Sequence, residues 1–260
     1  MRAQLAILAL GATLMATAAS ADVTVTATTV GKGGLAKALS GDSVTYIKGG
    51  KMRADSTSGD RKQSTIVDLD AQQMIVLDHG KKEATINDLQ DVQATLQKIT
   101  ADEMKVSLKP TGNSKQIAGQ SCDEYQLEMA VPMSVEGSTP MSISTTGPAC
   151  IVKNAPGAKD YENFYLKAAE QGFILSGDPS QAQRNPGHAR SMTEMYRQMA
   201  KLGVPYEMEM NVKIGGEGPM AALMGKMGAV SFTTTVKSVT EDPLADDLFI
   251  VPSDYKVKKN

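Results

Sequence analysis

Methionine and histidine side chains form the first pattern in this sequence that could do chemistry. Of the 16 methionines, three lie at helical spacing with a histidine and a leucine, in the order His188, Met192, Met195, Met199 and Leu202. This spacing places all five side chains on one face of a helix. Imidazole and thioether groups suit soft ions such as Cu(I), so His188, Met192, Met195 and Met199 are a candidate metal site.

A second group of apolar residues alternates with polar ones, as in a half-buried strand. Met208, Met210 and Val212 alternate with polar residues, and Phe232 and Val236 share one face of a later strand. Flexible thioether side chains fill irregular gaps. These residues therefore fit three functions: packing of a core, lining of a deformable cavity, or Cu(I) binding that includes the pair Met208-x-Met210.

The cavity hypothesis predicts an acyl chain or other lipid as the ligand. Each buried CH₂ group contributes about 0.8 kcal/mol, so an acyl chain needs no specific polar contact to bind. The predicted lining residues come from the helix and from the two strands: Met192, Met195, Met199, Met208, Met210, Val212, Phe232 and Val236.

Signatures of catalysis are weak. Only two histidines are present; His79 lies in a turn typical of solvated residues, and His188 has no second histidine nearby to complete a zinc site. Neither a G-x-S-x-G elbow nor a Walker loop occurs. Gly31-x-Gly33-x-x-Ala36 imitates a dinucleotide fingerprint, but antiparallel hairpins follow it instead of a parallel βαβ unit. We therefore predict a protein that is not an enzyme, with no catalytic residues and no cofactor.

The first 21 residues have the features of a secretory signal peptide. A basic start precedes an apolar stretch from Leu5 to Ala18 and a small-residue cleavage site that ends at Ala21. We expect export to the periplasm, cleavage after Ala21 and no transmembrane segment in the mature chain. With 27 basic and 29 acidic residues, the chain has no charge pattern for nucleic acid or an anionic membrane surface. No protein partner can be identified.

The only cysteines are Cys122 and Cys150. In an oxidising compartment, an even number of cysteines without metal-ligand spacing indicates a structural disulfide. Cys122 is in phase with the glutamates of its strand, so we expect the disulfide on the polar face of the sheet.

Hairpins dominate the first half of the chain. Apolar residues and threonines alternate over residues 23–28, as in a strand. Residues 44–56 are expected to form a hairpin around Gly49-Gly50, and residues 65–86 contain two more connections between strands. A helix is expected after Asn87, followed by strands near 105–108, 114–117 and 122–130. We expect a Pro/Ser/Gly-rich connection at 131–148, then helices with apolar stripes at 161–173 and 188–202, and strands at 206–214 and 230–236. These elements predict an α+β fold: a large curved antiparallel sheet, or incomplete β-barrel, covered by two or three helices.

Several short motifs resemble an uncharacterised family of exported bacterial proteins, a domain of unknown function whose fold is similar to that of the periplasmic lipoprotein carriers (LolA/LolB-like). The motifs are Lys51-Met52-Arg53, residues 66–70 followed by 74–77, residues 119–125, and Leu248-Phe249 with Pro252 and Tyr255. The resemblance spans most of residues 22–260, which we expect to form one domain. It implies an incomplete β-barrel closed by helices around a hydrophobic cavity.

Together, these patterns favour a non-enzymatic periplasmic binding protein for a hydrophobic ligand, with a carrier or sensor role. Two alternatives stay open: a Met-rich Cu(I)-binding protein and a purely structural or interaction domain.

Overall fold

The fold is dominated by β-strands. A computed structural model describes residues 22–33, 36–37, 40–90, 105–133, 141–172, 186–216 and 230–259. The strands are β1 (Val23–Lys32), β2 (Gly41–Lys48), β3 (Lys51–Ser58), β4 (Arg61–Asp68), β5 (Gln73–Asp78), β6 (Glu83–Asp88), β7 (Lys105–Ile117), β8 (Gln120–Met133), β9 (Met141–Val152), β10 (Val204–Gly216), β11 (Val230–Thr240) and β12 (Lys256–Lys259).

The 12 strands of the described residues form one open sheet in the order β12-β6-β5-β4-β3-β2-β1-β11-β10-β9-β8-β7. The outer strands β12 and β7 do not pair with each other, so the sheet is not closed. Every neighbouring pair is antiparallel except β12 with β6, which is parallel. The sheet is therefore mixed, whereas the alternation pattern predicted an antiparallel one. The parallel pair arises because the chain returns to β6 from far along the sequence, which no local pattern encodes.

The predicted hairpins of the first half are confirmed. Gly49, with φ of +56°, lies in the turn between β2 and β3 and supplies a backbone conformation that side chains with a Cβ atom rarely adopt. The segments 105–108 and 114–117 form one strand, β7, interrupted by a register shift between Pro110 and Ser114. A bulge in a single strand accounts for what the sequence suggested as two.

The predicted connection at 131–148 is wrong. Strand β8 continues to Met133, and β9 already begins at Met141 and includes Gly147 and Pro148. Gly147 is required there because a Cβ atom would lie 2.0 Å from the backbone oxygen of Glu209 on β10. Glycine and proline are typical of loops, but at Gly147 the close approach of a neighbouring backbone requires glycine within a strand.

Two α-helices are described, α1 (Ala158–Glu170) and α2 (Pro186–Leu202). Helix α1 buries the predicted stripe, with Tyr161, Phe164, Tyr165 and Ala168 buried. Helix α2 begins at a proline, which is favoured at the first helical position. Most of the helix predicted after Asn87, and Phe173 of the first stripe, lie outside the described residues.

The two helices pack side by side against one face of the sheet. Helix α1 contacts the β1–β5 half, where its aromatic residues join a core that includes Val23, Ile47, Met52, Val67 and Met74. Helix α2 contacts the other half, strands β7–β10. The predicted arrangement of helices that cover an apolar sheet face is confirmed for these two helices.

The C-terminal strap, residues 244–259, covers the opposite face of the β2–β6 half. It contains a short 3₁₀ helix (Asp246–Phe249) whose Phe249 is buried against Ile66, Ile75, Leu77 and Ala84. Ion pairs hold the strap at both ends: Lys48 with Asp246 at 2.8 Å, and Lys82 with Asp254 at 2.7 Å. These hydrogen-bonded lysines lower the pKa of Asp246 and of Asp254.

Candidate functional site

The methionine cluster, defined as Met192, Met195, Met199 and Met208, lies between α2 and the sheet. Met195 and Met199 have no exposed surface and pack against the aliphatic side chains of Leu127, Ala149 and Ile151. Met192 and Met208 are partly buried at the margin of the same cluster. The helical and alternating patterns therefore place these four predicted lining residues together.

The other four predicted lining residues divide into two groups. Val236 is buried in the core that contacts α1. Met210 is the register partner of Phe232, and Val212 pairs with Val230, so these residues continue the face on which Met208 lies. Met210, Val212 and Phe232 are only half-buried. The apolar face thus extends past the methionine cluster towards the ends of β10 and β11.

The candidate Cu(I) ligands lie on one helix, but their surroundings differ. His188 lies in the first turn of α2, and burial lowers its pKa, which favours the neutral imidazole that binds metals. The thioethers of Met195 and Met199 are instead enclosed by hydrocarbon. Among the residues that the structure describes, no group of three or more His, Cys, Asp or Glu side chains could hold a metal ion. The packing favours a structural role for Met195 and Met199.

The predicted disulfide between Cys122 and Cys150 is confirmed and joins β8 to β9. Cys150 pairs in register with Glu124 and with Glu207, so the cysteines share the face of the glutamates, as their phase predicted. Both cysteines are nevertheless buried, with exposures of 0% and 1%. An ion pair between Lys115 on β7 and Glu207 on β10 spans this site. The disulfide therefore shares the register face of these glutamates, but both cysteines pack into the buried hydrophobic core with Ile117 and Val152 and not on a wet polar surface.

Three tyrosines meet where the two helices face the sheet. Tyr165 of α1 stacks on Tyr196 of α2 with ring centroids 5.3 Å apart, and it lies 4.3 Å from Tyr161 by the same measure. Burial raises the pKa of all three phenols. The sequence pattern identified Tyr161 and Tyr165 but missed Tyr196, which lies at the edge of the methionine stripe. These neutral rings pack the two helices against each other and offer no acid or base at neutral pH.

A hydrogen-bonded network that the sequence did not reveal lies beneath the C-terminal strap. Ser64 Oγ is 2.6 Å from Asp55 Oδ1 and 2.6 Å from His79 Nε2, and His79 Nδ1 is 2.6 Å from the Tyr255 hydroxyl. Arg53 donates to Asp55 and to the backbone oxygen of Leu248 in the strap. His79 does lie in the predicted turn, but the prediction that it is simply solvated is wrong, because both of its ring nitrogens are hydrogen-bonded within the protein.

The donors and acceptors of this hydrogen-bond network are not arranged to activate Ser64 as a nucleophile. Because a carboxylate only accepts, Ser64 donates its single proton to Asp55. The ring nitrogen Nε2 of His79 must then donate to Ser64, and a hydrogen bond joins Nδ1 to the Tyr255 hydroxyl. In a serine nucleophile, the histidine would instead accept the hydroxyl proton. Ser64 also has no exposed surface. The network fastens the strap to the sheet.

Replacement of Ser64 by alanine is expected to lower the free energy of unfolding by about 1 to 3 kcal/mol, because it leaves Asp55 and His79 without their shared partner in a buried site. Urea unfolding measures the loss. Ser56→Ala is the matched control, since Ser56 is exposed on the adjacent strand β3 and should change stability by less than about 0.5 kcal/mol. Equal midpoints for the two variants would show that the network does not stabilise the fold.

A polar cleft of about 630 Å³ lies between the start of α1 and the end of α2. Lys153, Lys159 and Lys201 line it together with Asp160, Glu162 and Glu241. Glu241 accepts a hydrogen bond from the backbone nitrogen of Gly157, the residue that immediately precedes α1. Because its lining carries charges of both signs, this cleft differs from the apolar site that the sequence predicts.

Residues 35–136 match a family described as a domain of unknown function, DUF4412. The matched stretch contains β2 to β8 and therefore Arg53, Asp55, Ser64 and His79, whereas both described helices and the strap lie outside it. The match supports the prediction of an uncharacterised family. Comparison with curated proteins finds no similar sequence. Within the described parts of the chain, no helix is both long and apolar enough to cross a membrane.

Proposed function

We propose that the protein is a non-enzymatic, exported binding protein for a hydrophobic ligand, a lipid or acyl chain, with a carrier or sensor role in the periplasm. The observation that carries the proposal is the half-buried apolar face formed by Met210, Val212 and Phe232, which adjoins the methionine cluster. Contiguous apolar surface of this kind on a soluble protein commonly marks a binding site.

The shape of the sheet supports the same proposal. An open sheet of 12 strands with unpaired outer strands, covered on one face by two helices, is compatible with an incomplete, curved β-barrel of the LolA/LolB type. In such a fold the covering helices and the sheet enclose a hydrophobic cavity, which residues 22–260 would form as a single domain. The methionine cluster would close the inner end of this cavity.

The side chains of the proposed site suit a ligand of variable shape. Thioether groups adapt to their neighbours, and Met208 and Met210 are both only partly buried. Burial of each CH₂ group contributes about 0.8 kcal/mol, so a ligand with a long hydrocarbon chain binds without a charged contact. Mass spectrometry of material that co-purifies with the native protein would identify a lipid in support of this proposal, or copper in support of the Cu(I) alternative.

Replacement of Met210 by tryptophan is expected to block binding of a fluorescent fatty acid and to leave the melting temperature nearly unchanged. In an open cavity, the larger indole occupies the space of the ligand. In a filled core, the same side chain would overpack its surroundings and lower stability by about 1 to 3 kcal/mol. Fluorescence titration and thermal unfolding, measured on the same samples, distinguish the two cases.

Met210→Leu is the matched control, because a volume-conserving apolar exchange costs less than about 1.5 kcal/mol and keeps the site open. We expect this variant to bind the probe as the parent protein does. A parent protein that binds neither fatty acid nor lipid, together with a lower melting temperature for Met210→Trp, would contradict the carrier proposal and favour a packed structural domain.

A further inference from the structure

A pair of threonine hydroxyls interrupts the apolar face of the proposed site. Thr29 on β1 and Thr234 on β11 are register partners, and their Oγ1 atoms are 2.9 Å apart. Thr234 is also the register partner of Met208 on β10. Residues directly opposite each other in a sheet project from the same face. The two hydroxyls therefore lie between the buried Val236 and the half-buried Phe232, beside the methionine cluster.

The hydroxyl pair retains hydrogen-bonding capacity. Two hydroxyls carry two protons, and one proton joins the two oxygens, so one donor stays available. Among the residues that the structure describes, neither hydroxyl has another hydrogen-bond partner. Both threonines are only half-buried, which leaves the spare donor within reach of a ligand on this face.

The residues around the Thr29–Thr234 hydroxyl pair determine which hydrogen-bond acceptor of a ligand can bind there. The positions of β10 and β11 that share this face are Met208, Met210, Val212 and Ile214, and Val230, Phe232 and Val236. None of them carries a charge. A carboxylate placed against these described positions would lose hydration without gaining a counter-ion from them, which is costly, whereas a neutral carbonyl oxygen needs only one hydrogen bond.

We propose that the Thr29–Thr234 pair binds the carbonyl oxygen of a neutral acyl ester, while the hydrocarbon chain of the ester lies along Met210, Val212 and Phe232. The inference rests on the proposed function and specifies the class of ligand for that site. The hydroxyl pair provides selectivity between chains of equal length, because only ligands with an acceptor at this point satisfy the spare donor.

The test compares three pyrene-labelled probes of equal chain length: a fatty acid methyl ester, the free fatty acid and an alkane. The parent protein is expected to bind the ester about 10-fold more tightly than the alkane, as one hydrogen bond in an apolar site would produce. The free acid is expected to bind more weakly than the ester at neutral pH. Fluorescence titration gives the three dissociation constants.

The double variant Thr29→Val/Thr234→Val is expected to bind the ester and the alkane equally well, with affinity for the alkane unchanged. Thr28→Val/Thr235→Val is the matched control, because these threonines are also register partners on β1 and β11 but hydrogen-bond Asp42 and Glu207 on the other face. This control should keep the preference for the ester.

The possible outcomes separate the inference from the proposed function. If the parent protein binds all probes but Thr29→Val/Thr234→Val keeps the ester preference, the hydroxyl pair is not the acceptor site and the binding function stands. Tighter binding of the free acid than of the ester would overturn the assignment of a neutral ligand. If the parent protein binds none of the probes, both the inference and the proposed function are wrong.

Discussion

The double variant Cys122→Ala/Cys150→Ala is expected to lose about 3 to 4 kcal/mol of unfolding free energy, the value that the chain-entropy account gives for a loop of this length. The two cysteines are 28 residues apart in sequence. A loss of this size is a large part of the about 5 to 15 kcal/mol that typically stabilises a native protein, so a clear decrease of the unfolding midpoint is expected. Guanidinium unfolding of parent and variant under non-reducing conditions measures the difference.

The location of the disulfide strengthens this expectation. Both cysteines are buried in the hydrophobic core, and the bond ties β8 to β9. The matched control is Lys115→Met/Glu207→Met, which removes the ion pair that spans the disulfide but keeps the bond itself. Because both side chains are partly exposed, this pair should contribute less than about 1 kcal/mol. Two freely alkylated cysteines in the non-reduced parent protein, or equal midpoints for parent and cysteine variant, would argue against a structural disulfide.

Periodicity was sufficient to predict the elements whose partners are near in sequence. The β2–β3 hairpin follows from Gly49-Gly50, and α1 follows from the spacing of Tyr161, Phe164 and Tyr165. Strand β9 was missed because Gly147 and Pro148 are typical of turns when considered alone. Its identity as a strand depends on β8 and β10, which supply its hydrogen bonds on both sides. Tertiary pairing outweighed local propensity at that point.

The contacts of the C-terminal strap could not be predicted from local patterns. His79 and Tyr255 are 176 residues apart, and nothing near either residue indicates the other. The strap also explains why both faces of the β2–β6 half are buried, whereas the alternation rule assumes one wet face. For the candidate site, helical spacing and strand alternation correctly predicted that Met195, Met199 and Met208 share one apolar cluster. Periodicity could not distinguish the fully buried Met195 and Met199 from the half-buried Met210, since that difference depends on what packs above each residue.

The final prediction separates packing from metal binding at the centre of the methionine cluster. Met199→Ala is expected to lower the free energy of unfolding by about 2 to 5 kcal/mol, because it leaves a cavity between α2 and Leu127, Ala149 and Ile151. Met199→Leu keeps the volume and should cost less than about 1.5 kcal/mol. Urea unfolding of both variants tests the packing role.

Met199→Leu also removes the thioether, so the same variant tests the Cu(I) alternative. The parent protein and Met199→Leu are expected to behave alike when titrated anaerobically with Cu(I), because the sulfur of Met199 is enclosed by hydrocarbon and has no exposed surface. A site of His188, Met192, Met195 and Met199 would instead lose one of four soft ligands, and its affinity would fall while the fold persisted. Stoichiometric Cu(I) binding that Met199→Leu abolishes would therefore establish the metal site and displace the hydrophobic-ligand proposal from this part of the molecule.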